Sequence, residues 1–116
     1  MANPNGRKGA GFETAVLKWF RSKGVNAERL SKTGPLDEGD LVTMIAGKTY
    51  IFELKNRATL SLPEFWREAV IEAEHYAKAR NLEVVPPAYV IVKRRKAGIE
   101  KAWVIQDLEQ WTVTHI

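Results

Sequence analysis

Between residues 8 and 23, apolar side chains return at three- and four-residue steps. Phe12, Ala15, Val16, Trp19 and Phe20 form one stripe, which predicts an amphipathic helix that Gly24 ends. Residues 25–30 can form a short strand, and 31–39, with Gly34, Pro35 and Gly39, reads as a loop. Residues 41–45 and 49–54 are rich in β-branched and aromatic side chains and flank Ala46-Gly47, which predicts a hairpin. Ser61-Leu62-Pro63-Glu64 has the S-x-x-E form of a capping box, so a long helix should follow. Its buried stripe would be Leu62, Phe65, Trp66, Ala69, Val70, Ala73 and Ala77, with Glu64, Arg67, Glu68, Glu72 and Lys78 on the outer side. Pro86-Pro87 breaks the chain before an apolar strand at 88–92. A last strand pair, around 103–105 and 112–113, would bracket a helical turn at 107–110. The order α-β-β-β-α-β-β predicts an α/β domain, a mixed sheet flanked by helices, over residues 8–116, with 1–7 as a flexible tail.

The hairpin carries a chemical consequence. Side chains alternate along a strand, so Glu53 and Lys55 share one face while Phe52 and Leu54 share the other. A turn on Ala46-Gly47 pairs Ile45 with Lys48, Val42 with Ile51 and, continued, Asp40 with Glu53. Opposed Cβ atoms lie about 4.5–5.5 Å apart. One oxygen from each acid can then reach a shared hard cation at about 2.1 Å. Glu13 sits at the rim of the first helix's stripe and can lean toward the sheet edge, although by itself it reads equally as a solvated helix residue. Asp40 and Glu53 as direct metal ligands, Glu13 as a direct or water-mediated one and Lys55 beside a phosphate would together suit phosphodiester hydrolysis.

Charge agrees with an anionic substrate. The 116-residue chain carries a formal +4. Its cations gather in the first third, at Arg7, Lys8, Lys18, Arg21, Lys23, Arg29 and Lys32, and in the run Lys93, Arg94, Arg95 and Lys96. A polyanion is the natural partner, and a solvated basic surface is the alternative. On the first reading Arg7, Lys8, Arg29, Lys32 and the 93–96 run are the candidate contacts to DNA phosphates. With no cysteine, disulfides, thiolate chemistry and cysteine zinc sites are excluded. His75 and His115 show no partner, and Asp37 and Glu38 read as loop-solvating charges. Trp19 and Trp66 fall on the buried stripes. Trp103, Ile105, Leu108 and Trp111 exceed what so small a core covers and are candidates for a subunit interface. No signal-peptide or membrane-spanning pattern is found, so the expected location is the cytoplasm, with no membrane and no small-molecule substrate.

Three segments resemble the PD-(D/E)xK nuclease superfamily, and within it the archaeal-type Holliday-junction resolvases. Lys8-Gly9-Ala10-Gly11-Phe12-Glu13 stands in the place of that family's K-G-x-x-x-E helix start. Gly39-Asp40-Leu41-Val42 stands for its P-D and strand, and Phe52-Glu53-Leu54-Lys55 for its E-x-K. Small bacteriophage proteins of this kind are similar in the Trp66 helix and the strand ending in Lys-Arg-Arg, which would place the protein in a host cytoplasm. The resemblance implies a single-domain restriction-endonuclease-like fold and a dimeric, Mg2+-dependent enzyme that cuts four-way DNA junctions, with Mn2+ able to substitute. It assigns Glu13, Asp40, Glu53 and Lys55 to the active site.

The chain also departs from that pattern. Gly39 replaces the usual proline, which leaves Asp37 as a rival to Asp40. The family's serine-glycine loop survives only as Ser31-Lys32-Thr33-Gly34, where Ser31 would contact DNA. Relatives carry a glutamine in the following helix with a tyrosine four residues on; here stand Glu72 and Tyr76. A restriction-type, flap or nicking nuclease with the same metal site, or a DNA-binding module that keeps only the fold, remain the alternatives.

Overall fold

The computed structural model describes residues 4–30 and 36–116, with the side chains of 4–9 outside the description. In chain order the elements are α1 (Pro4–Ser22), β1 (Asn26–Arg29), β2 (Leu41–Ile45), β3 (Lys48–Lys55) and α2 (Leu62–Ala79). After these come β4 (Ala88–Val92), a 3-10 turn (Ile99–Lys101), β5 (Trp103–Ile105) and α3 (Leu108–His115). The five strands lie in sequence order in one sheet. β1–β2, β2–β3 and β4–β5 are antiparallel, and β3–β4 is parallel. That parallel step requires a crossover, which α2 supplies.

Alternation along β3 and β4 sorts the core into two layers. Phe52, Tyr89 and Ile91 pack with Phe12, Val16 and Leu17 of α1. Ile51, Ala88, Val90 and Val92 pack with Phe65, Ala69 and Ala73 of α2. The sheet is thus covered on both faces, and all five residues of β4 are buried. The hairpin forms as expected: Ala46 and Gly47 both adopt positive φ, and Ile45 pairs with Lys48 and Val42 with Ile51. Among the described residues no helix is long and apolar enough to cross a membrane.

Five local expectations need correction. The backbone of α1 starts at Pro4, so the helix takes in residues assigned to a tail. Ser61 is the N-cap of α2, but its side chain makes no capping bond. On the helix itself Leu62 is exposed, whereas Glu72, expected on the outer side, is buried. Trp19 and Trp66 are half-buried rather than core. In place of a strand at 112–113, the chain ends in α3. Asp107 caps this helix by accepting the Gln110 N–H at 2.8 Å. Thr112 and Thr114 donate their hydroxyls to carbonyls one turn back. Gln110 also takes both backbone groups of Ala88, at 3.1 and 2.6 Å, which satisfies the polar groups beside β4 without another strand.

Candidate metal centre

Glu53 and Lys55 share the face of β3 that α2 covers, and both are buried. β3 and α2 run in opposite senses, as a strand and its crossover helix must. Two residues of strand span about 6.6 Å, and four residues of helix about 6 Å. Glu53 and Lys55 therefore find counterparts in Glu72 and Glu68. Lys55 Nζ lies 2.5 Å from Glu68 Oε2 and 5.1 Å from the centre of the Phe65 ring. At the other end Glu53 and Glu72 are joined by a hydrogen bond between their carboxyls.

Asp40 arrives by a different route. Leu41 pairs with Phe52, and the Asp40 N–H donates to the same Phe52 carbonyl at 3.0 Å, so one extra residue enters opposite Phe52. Such a bulge re-aims a side chain. Asp40 Oδ2 accepts the Leu54 N–H at 2.8 Å, and its carboxylate also bonds to Glu53. Gly39 makes the approach possible. Its φ is +105°, and a Cβ there would fall 2.9 Å from Ile51 Cγ2. A proline, fixed near φ −65°, cannot adopt that backbone, so the glycine at the family's proline position is a conformational requirement here. Asp37 turns toward the sheet, with its Oδ1 accepting the Gly39 N–H at 2.9 Å.

The result is a group of three carboxylates, Asp37, Glu53 and Glu72, whose ligand atoms all lie within 4.8 Å of one another. Burial pushes the Glu53 carboxyl far above its usual range, and hydrogen bonds and like charge from Asp40 and Glu72 add to this. Burial likewise raises Glu72, to about 7, against the lowering effect of its bond from Glu53. Glu53 thus holds the proton that these contacts need. Glu72 Oε2 is buried with no hydrogen-bond partner. Crowded, desolvated acids with an orphaned oxygen fit a hard divalent cation, which replaces the proton and satisfies the oxygen.

The other expected site residues lie around this group. Glu13 is outside it; α1 packs on the opposite face of the sheet, and Glu13 Oε1 instead lies 3.4 Å from Arg29 Nε. Arg29 also bonds Thr14. Lys93, Arg94, Arg95 and Lys96 are all exposed. Their turn begins beside the site, because the Lys93 N–H donates to the Lys55 carbonyl at 3.0 Å. Arg94 rests on the Trp103 ring, 4.9 Å from its centre. The side chains of Arg7 and Lys8 lie outside the described residues, as do Ser31 and Lys32.

Pattern reading set Glu68 and Glu72 on the outer side and left His75 without a partner. The missing proline kept Asp37 as a rival to Asp40 although it read as a loop-solvating charge, and Glu72 with Tyr76 four residues on was noted without a role. His75 Nδ1 is in fact 2.7 Å from the Asp37 carbonyl. A carbonyl only accepts, so that nitrogen carries the proton.

No family model and no curated protein matches this chain. Solved structures do. One is the 1.6 Å structure of Hjc from Archaeoglobus fulgidus, a Holliday-junction resolvase from an archaeal hyperthermophile. It matches over 90% of this chain and 93% of its own, with a TM-score of 0.53 and 23% identity. At that identity the likeness speaks for the fold, and the sheet order and flanking helices agree with it. The arrangement that sets β3 and α2 face to face in this chain is therefore the restriction-endonuclease-like fold of that resolvase.

Proposed function

We propose that this chain is a metal-dependent endonuclease that resolves four-way DNA junctions. The carrying observation is the group Asp37, Glu53 and Glu72, with ligand atoms within 4.8 Å, in which Glu53 stands on a strand whose next inward residue is Lys55. In this reading Glu53 holds Mg2+ together with the acids that converge on it: Asp40 from the bulge, Asp37 from the loop and Glu72 from α2. Glu13, carried by α1 on the other layer and placed beside Arg29, is left out of this ligand set. When bound, the cation supplies Lewis acidity toward a phosphodiester and a lower pKa for its water. Lys55 leaves Glu68 to meet the phosphate as negative charge develops there. The exposed turn Lys93–Lys96, which starts against the Lys55 carbonyl, supplies backbone contacts that bring a duplex arm to the site.

Among the described residues one chain carries one such centre, whereas a junction needs two symmetric cuts. A two-fold dimer provides both. Trp103, Val104, Leu108 and Trp111 are exposed apolar residues at the C-terminal end and form the proposed interface.

The test compares four-way junction, flap and linear duplex DNA, each with Mg2+, with Mn2+ or with chelator, using wild type, Asp40→Asn and Glu53→Gln. Paired nicks in the junction alone, lost in both variants with DNA binding retained, is the expected result. Equal cutting of linear duplex, or normal turnover by Glu53→Gln, would overturn it.

A further inference from the structure

We propose that Arg80 is a positioning residue for the metal centre, acting through Glu38 to hold the Asp37 carboxylate in place. This rests on the metal-binding reading of Asp37, Glu53 and Glu72. Three acids brought together repel one another, and Asp37 is the one carried by a loop, so something must hold that loop against the helix bearing Glu72.

Two contacts do so, one from the last turns of α2 and one from the residue that caps its C-terminus. The Arg80 guanidinium pairs with the Glu38 carboxylate, and His75 Nδ1–H donates to the Asp37 carbonyl at 2.7 Å. Arg80 is itself constrained. Its guanidinium lies 3.7 Å from the centre of the Tyr76 ring and donates to the Tyr76 carbonyl at 3.3 Å. Tyr76 in turn packs against the core layer under α2. Order passes from the core through Tyr76 and Arg80 to Glu38, and from there to its chain neighbour Asp37. Two metal-binding acids, Glu72 on the helix and Asp37 on the loop, are thereby fixed relative to one another. The aromatic residue four positions after Glu72 gains a role as the platform for this clamp.

An ion pair that is partly exposed adds little to folding stability. Positioning and stability are therefore separable. Mn2+ affinity is measured from the electron paramagnetic resonance signal of the free ion, and stability by urea unfolding in chelator. The proteins are wild type, Arg80→Ala, the charge swap Glu38→Arg with Arg80→Glu, and Asp37→Asn. Arg80→Ala should weaken Mn2+ binding by about 10-fold or more, in the range found for residues that orient metal ligands. Its unfolding midpoint should stay near that of wild type, and the swap should recover most of the affinity. Wild-type Mn2+ affinity in Arg80→Ala, with Asp37→Asn weakened, would overturn the clamp alone. Wild-type affinity in Asp37→Asn would overturn the role of Asp37 in the centre and the clamp with it. A large stability loss in Arg80→Ala that the swap repairs without restoring Mn2+ affinity would show a structural role and also overturn the proposal.

Discussion

Lys55 Nζ sits 2.5 Å from Glu68 Oε2, so the one cation on the inward face of β3 is held by an acid of the helix above it. A phosphate that approaches the centre competes with Glu68 for that ammonium. Since the proposed benefit of Lys55 is greatest as charge builds on the phosphate, Lys55→Ala should slow single-turnover junction cleavage by about 100-fold or more. Junction affinity should change little by comparison. A loss confined to affinity would make Lys55 a simple backbone contact.

Stability of the metal-free protein should fall as pH rises. Burial lifts the Glu72 carboxyl from its ordinary 4.5 to about 7, and Glu53 is raised as well. Between 4.5 and 7 the folded chain therefore binds more protons than the unfolded one, and each step up in pH favours unfolding. If Mg2+ occupies the centre as proposed, it replaces the protons and reverses the trend. Thermal melts in chelator should show a lower midpoint at pH 8 than at pH 5, and Mg2+ should raise the midpoint more at pH 8. A chelator midpoint that rises over this range would contradict the burial of unpaired acids.

The basic turn at 93–96 should set the salt dependence of junction binding. Each phosphate it neutralises contributes about 0.9 to the slope of log affinity against log salt. Replacing Lys93, Arg94, Arg95 and Lys96 by glutamine should flatten the slope measured by titration at several salt concentrations. An unchanged slope places the DNA on another surface.

If the working unit is a dimer, mixing wild type with excess Glu53→Gln subunits should change the product formed from a plasmid-borne cruciform. Wild type should linearise the plasmid, and mixed dimers should leave nicked circles. Monomeric protein that linearises the plasmid in one binding event would exclude the two-site model.

Thr43 is fully buried on β2, and its hydroxyl has no hydrogen-bond partner. Valine has nearly the same shape without the polar group and suits a strand better. Thr43→Val should raise stability by about 1 kcal/mol, seen as a higher urea midpoint at unchanged slope. A decrease would mean that the hydroxyl is satisfied by a buried water.

What was legible in the chain was whatever a single element encodes by its own period. Alternation along β3 put Glu53 and Lys55 on one face, and the two-residue turn at Ala46-Gly47 set the register as far as Leu41 opposite Phe52. Both depend on bonds between near neighbours. The expected cross-strand pairing of Asp40 with Glu53 does not form, because a bulge at Asp40 interrupts the ladder. Which helix covers that face has no local signature. The parallel step from β3 to β4 lays α2 over Glu53, whereas α1, and Glu13 with it, goes to the opposite layer. Glu72 and Glu68 read as solvent-facing because an isolated charge is costly to bury. Their inward placement becomes intelligible only when Glu53 and Lys55 are seen opposite them. Asp37 was legible only as a rival to Asp40, since its approach depends on a positive φ at Gly39, a bulge at Asp40 and contacts from His75 and Arg80 more than thirty residues away. The strand pattern thus determined two chemical groups of the centre, and long-range packing decided which others would meet them.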